Sequence, residues 1–236
     1  MSTVIDSSMA ITGTINVYVV PCEPLERDEA DELHAIIERF LGAVCLHMFS
    51  GTLRCVHAIS RGDDGKAHAR FDVTELDLGA FRVLHGMLSW FAMMVAPLGT
   101  IMAWCEPVGS TPNLFDLDVP LPVHWDPPPF ATSVRVTTDS SLTVEVRFAR
   151  ALTTLEQHRF TEELHGWAAL VHGGYPEPGE LPGSSTISPI SIRLDDPNTL
   201  RLHADAILAG DACLEPLRAL VACWSTSVPV VHLMTS

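Results

Sequence analysis

Asp31-Glu32-Leu33-His34 is answered 131 residues later by Glu162-Glu163-Leu164-His165. The apolar positions that follow match as well. Leu33, Ile36, Ile37 and Phe40 correspond to Leu164, Trp167, Ala168 and Val171. Both sets keep the i, i+3, i+4, i+7 spacing that lines one face of a helix. A second echo falls at nearly the same offset, where Pro97-Leu98-Gly99-Thr100-Ile101-Met102 aligns with Pro229-Val230-Val231-His232-Leu233-Met234. Ahead of the first proline runs a helical pattern of Phe81, Leu84, Leu88, Phe91 and Val95. Ahead of the second runs one of Leu217, Leu220, Val221 and Trp224. Proline cannot continue a helix, so each is expected to close its helix and open a strand. The pattern reads as an internal duplication.

Strands fill the space around these four helices. Ile15, Val17 and Val19 alternate along Ile15–Val20, which leads into the first helix through Pro21 and Pro24. That helix opens on Glu26, Asp28 and Glu29, acids that suit the positive end of the helix dipole. Ala43–Phe49 and Leu53–Ile59 flank Ser50-Gly51, which predicts a hairpin, and a further strand is expected over Ala67–Val73. In the second half, Ser133–Thr138 and Leu142–Phe148 flank Asp139-Ser140-Ser141. There follow a helix over Thr154–Val171, strands over Ile187–Leu194 and Thr199–Ala204, a helix over Ala212–Ser225 and a closing strand over Val228–Met234.

Each half thus reads strand–helix–strand–strand–helix–strand. The expected fold is α+β, with two pseudo-symmetric ferredoxin-like (β-α-β-β-α-β) halves packed into one body. The expected boundaries are residues 1–105 for the first half, 106–130 for an extended strap and 131–236 for the second half. The strap holds seven prolines, which excludes a helix or a central strand. The helix around Val83–Leu98 is apolar nearly all round, with Met87, Trp90, Phe91, Met93 and Met94, and is expected to be buried on several sides. Its cover would be the other half or a second copy of the chain in a homodimer.

The chain of 236 residues is 47% hydrophobic and carries twenty-nine acids against fourteen bases, a formal charge of −15. That sign disfavours nucleic acid and anionic membrane surfaces as partners and favours a basic protein. Met1–Ser8 lacks the basic start and apolar core of a secretory signal, and Val83–Trp104 is too interrupted for a good membrane span. A cytoplasmic protein is expected. In that setting the six cysteines read as small buried residues rather than a disulfide framework.

Four kinds of residue pattern bear on chemistry. Cys45-x-His47 and Cys55-x-His57 would meet on one face if the predicted hairpin turned through three residues, making a weak candidate Cys2His2 metal site. His158, His165 and His172 recur every seventh residue along one helical stripe, too far apart along the axis to share a metal. The loop Gly173–Ser185 offers Tyr175, Glu177 and Glu180 on a proline-stiffened frame. Finally, Glu26, Asp28, Glu29, Asp31 and Glu32 make an acidic helix face. No nucleophile elbow, zinc-protease, phosphate-loop or dinucleotide motif is present, so no catalytic residue, metal or cofactor is expected.

These readings favour a non-enzymatic, acidic protein-binding module. Its concrete version is an immunity-type protein that neutralises a basic toxin, with the acids steering association and Tyr175 anchoring it. The alternative is a small-molecule enzyme or ligand-binding protein with a pocket between the halves, lined by His47, His57 or Trp104.

Overall fold

A computed structural model of the chain describes residues 10–62, 65–106, 113–114, 128–134, 141–176, 186–208 and 210–236. It is a mixed α+β structure with two five-stranded sheets and four helices among the described residues. The chain divides into two compact units, one of Met1–Cys45 with Phe49–His124, the other of Leu46–Met48 with Trp125–Ser236.

The first unit contains β1 (Ala10–Pro21), α1 (Arg27–Cys45), β2 (Thr52–Arg61), β3 (Ala67–Asp77), α2 (Leu78–Met94), β4 (Leu98–Glu106) and β5 (Asn113–Leu114). Its sheet runs β2-β3-β1-β4-β5, with every pair antiparallel. The alternation read in β1 is real: Ile15, Val17 and Val19 are fully buried. They join Leu33, Ile36, Ile37 and Phe40 of α1 and Phe81, Leu84, Leu88 and Phe91 of α2 in the core. Phe40 is its hub, with ring centroids 6.0 Å from Phe49, 6.4 Å from Phe71 and 6.0 Å from Phe81. Burying one such ring stabilises the fold by about 1.5–3 kcal/mol.

The second unit contains β6 (Ala131–Val134), β7 (Ser141–Phe148), α3 (Thr154–His172), β8 (Thr186–Asp196), β9 (Thr199–Leu208), α4 (Asp211–Ser225) and β10 (Val230–Thr235). Its sheet runs β6-β10-β7-β9-β8. Leu164, Trp167, Ala168 and Val171 of α3 are fully buried. Phe148, Phe160 and Trp224 form an aromatic stack at its centre, with Phe160 4.5 Å from Trp224 and 5.3 Å from Phe148. The start of α3 is fixed by a capping box, in which the Thr153 hydroxyl accepts from the Glu156 N–H and the Glu156 carboxylate accepts from the Thr153 N–H.

Several expectations are corrected. Ala43–Cys45 is not a strand but the last turn of α1, because the spacing Leu33, Ile37, Phe40, Val44 simply continues and buries Ala43 and Val44. His47 then takes a left-handed φ of 57° and the chain turns through Ser50-Gly51 straight into β2. The predicted hairpin across Ser50-Gly51 does not form. Of the predicted strand Ser133–Thr138, residues 135–138 lie outside the described residues; its described part belongs to β6, which lies parallel to β10, and β10 separates it from β7. Helix α2 is not buried all round, since its last turn leaves Met93 and Met94 exposed by 56% and 62%, with Trp90 half-buried. Of the predicted strap, the described part includes β5, which pairs antiparallel with β4, while Pro127 lies outside the described residues.

Candidate functional site

Because β1 turns Ile15, Val17 and Val19 into the core, Thr14, Asn16 and Tyr18 point to the opposite face of the first sheet. The register brings Asp72, Arg70 and His68 of β3 beside them, and Glu106, Trp104 and Met102 of β4 on the other flank. This face is polar and interlinked. The Thr14 hydroxyl donates to Asp72 Oδ1 at 2.8 Å, and Arg70 pairs with Glu106 at 3.4 Å. His68 meets the Tyr18 ring edge-on at 6.1 Å. Asn16 sits in the middle with only 4% exposure, and its Nδ2 has no hydrogen-bond partner among the described residues.

The edge strand β2 adds the most chemically pointed group. Two irregularities interrupt its pairing with β3, between Leu53 and Cys55 and between Val56 and Ala58. Cys55 opposes Asp72, Val56 opposes Phe71 and Ala58 opposes Arg70, which leaves His57 as the extra residue of a bulge. In an unbroken ladder His57 would stand opposite Arg70. The bulge instead lets its Nε2 reach Asp72 Oδ2 at 2.9 Å, while its Nδ1 lies 3.9 Å from Cys55 Sγ. Thr14, Asp72, His57 and Cys55 therefore form one relay. The Thr14 hydroxyl, then the His57 imidazole, hold the Asp72 carboxyl below its ordinary pKa.

Of the Cys/His quartet, only Cys55 and His57 are neighbours. Cys45 ends α1 and His47 lies in the turn after it, because the strand that would have carried both is helical. Among the described residues no group of three or more His, Cys, Asp and Glu is placed to hold a metal.

The acidic positions of the first helix follow one stripe. Glu26, Asp28 and Asp31 are exposed, Glu29 and Glu32 half-buried, and Glu23 and Glu38 extend the exposed set. The face is tempered from within. Asp31 pairs with Arg61 at 2.7 Å and Glu32 with Arg39 at 2.7 Å, while Glu29 accepts the Glu26 N–H at 2.8 Å. Among the described residues neither Glu26 nor Asp28 pairs with a basic side chain. Tyr175 is 1% exposed, a core side chain at the end of α3 rather than a surface anchor. The composition of its loop suggested a solvent-facing tyrosine, but the chain turns back at Gly174 (φ 87°) and folds the ring inward. Glu177 and Glu180 lie outside the described residues. His158, His165 and His172 are all exposed along α3.

In the second unit, Glu145, 7% exposed, receives Arg201 at 2.6 Å and Arg147 at 3.5 Å, and Asp195 takes Arg201 and Arg193. Arg201 thus bridges Glu145 and Asp195, while its Nε finds no hydrogen-bond partner among the described residues. A shallow recess between α4, β6 and β10, lined in part by Leu217, Arg218 and Thr235, has no room for an enclosed water molecule.

No family model matches the chain, and no curated protein matches it. One solved structure, described as that of a candidate glycine cleavage system transcriptional repressor, aligns over 94% of this chain and 96% of that one, at 10% identity and a TM-score of 0.23. No helix among the described residues is long and apolar enough to cross a membrane.

Proposed function

We propose that the protein is a non-catalytic, acidic binding module built by duplication of a ferredoxin-like unit, and that it captures a basic protein through the outer face of α1. The observation that carries the reading is the exposed run Glu23, Glu26, Asp28, Asp31 and Glu38 on and before α1, in a chain of formal charge −15. Duplication is supported by the strand order, which is β2-β3-β1-β4 in one unit and β8-β9-β7-β10 in the other. It is supported too by the eight apolar positions quoted for α1 and α3, all fully buried.

Acids on a helix rim raise the rate of encounter more than the final affinity, because they attract a cationic surface over a Debye length before contact. A basic toxin met by an immunity-type protein is the concrete form of such a partner. The test is affinity capture on the immobilised full chain, compared with Glu26→Lys/Asp28→Lys. The reading expects basic proteins to be retained by the wild type, released by moderate salt and lost from the double variant. Retention of no basic protein would overturn it.

A further inference from the structure

We infer that Cys55 is a base-assisted thiol that undergoes exchange with low-molecular-weight disulfides, with His57 as the base and Asp72 as the positioning residue. Three features of the described residues converge on it. Cys55 is exposed, and it faces His57 Nδ1 at 3.9 Å, while the far nitrogen, Nε2, is held by Asp72 at 2.9 Å. That hydrogen bond keeps the proton on Nε2 and leaves the Nδ1 lone pair turned towards the thiol, the orientation a general base requires. The arrangement is tied into the sheet, since the bulge at His57 accompanies its contact with Asp72, and Thr14 anchors the second carboxylate oxygen.

The other cysteines lack this setting. Burial pushes the thiols of Cys105 and Cys223 up in pKa and keeps them protonated. Cys22 and Cys45 are exposed, yet among the described residues neither has a histidine within hydrogen-bond reach. A soft thiolate on an open edge strand needs only access and proton transfer to react with a soft sulfur. In the reaction, the Cys55 S–H proton passes to His57 Nδ1 and the thiolate attacks one sulfur of the disulfide. The S–S bond breaks and the departing thiolate takes the proton from His57. Cys55 ends as a mixed disulfide, and the other half of the reagent leaves as a thiol.

The exposed thiols supply their own controls. The full chain is treated with limiting cystamine at neutral pH, and modification at Cys22, Cys45 and Cys55 is followed by peptide mass spectrometry. A well-placed general base contributes about a hundredfold or more; the long 3.9 Å contact reduces the expectation to about tenfold in favour of Cys55. His57→Gln should bring Cys55 down to the rate of the other two. Asp72→Asn should slow it, and Asp72→Glu should restore it. The neutral reagent iodoacetamide should give the same order, which separates base assistance from attraction of a cation to an acidic surface. Equal rates at the three thiols of the wild type would overturn the assignment whether or not the variants fold, as would a lead for Cys55 that survives His57→Gln.

Discussion

Replacing Gly51 by alanine places a methyl group where the chain has no room for it. Gly51 lies in the turn between α1 and β2 at φ +103°. A Cβ there would stand 2.5 Å from Leu76 Cα, 2.6 Å from the Glu75 carbonyl oxygen and 2.6 Å from Leu76 N. All three are backbone atoms, so no rotamer change relieves the overlap. Moving the two segments apart would break the hydrogen bond from the Asp77 N–H to the Ser50 carbonyl at 3.3 Å, made by the residue that caps α2. An L-residue held at such a φ costs about 1–3 kcal/mol, and overpacking costs about 1–3 kcal/mol more. Together they give about 2–6 kcal/mol, a large share of the roughly 5–15 kcal/mol that holds an ordinary domain folded. Urea denaturation measures it. With a slope of about 2 kcal/mol per molar, the midpoint should fall by about 1 M or more. Gly42→Ala is the matched control: it sits within α1 with nothing within 4 Å of the added Cβ and should stabilise by up to about 1 kcal/mol through helix propensity. A Gly51→Ala midpoint within about 0.2 M of the wild type would refute the reasoning.

Three further outcomes follow from the same structure. Asp77 caps α2 by accepting the Gly79 N–H at 2.7 Å, but burial raises its pKa and penalises its charge; Asp77→Ala should therefore cost about 1 kcal/mol in thermal or urea unfolding while Asp77→Asn, an equally good cap, should cost nothing. Glu156 is held at a pKa of about 2, first by Arg150 and then by the Thr153 backbone. A lowered folded pKa gives stability that is present above the unfolded value of about 4.3 and is lost as pH falls towards 2, so melts between those limits should show a loss that Glu156→Gln flattens. Phe160 stands between Phe148 and Trp224 in the second core, and Phe160→Ala should cost about 3–5 kcal/mol in calorimetry.

The helices were legible because their apolar spacing is strong. Leu33 to Phe40 and Leu164 to Val171 marked two helical faces, and both sets are fully buried. Pro97 and Pro229 stand just before β4 and β10, where a residue that cannot prolong a helix belongs. Ala43–Phe49 reads as a strand because a short run that is apolar on both parities apart from His47 fits a buried strand as well as a helix's last turn, and periodicity cannot separate them. The parallel pairing of β6 with β10 joins residues about a hundred positions apart, and no local pattern encodes such a contact. The same reason hid the relay. Cys55-x-His57 stands out in the sequence as a pair, but Asp72 and Thr14 come from other strands, and the bulge at His57 leaves no mark in composition. Tyr175 shows the converse error, since a loop's polarity says little about which way one ring folds.

The central claim, that exposed acids on α1 draw in a basic protein, is tested most directly by the association rate with the captured partner as a function of ionic strength. The account predicts a rate that falls steeply as salt rises from about 0.01 to 0.15 M, where the screening length shrinks from about 30 to 8 Å, and that drops again with Glu26→Lys/Asp28→Lys while the variant's melting temperature holds. An association rate indifferent to both salt and charge reversal would contradict it.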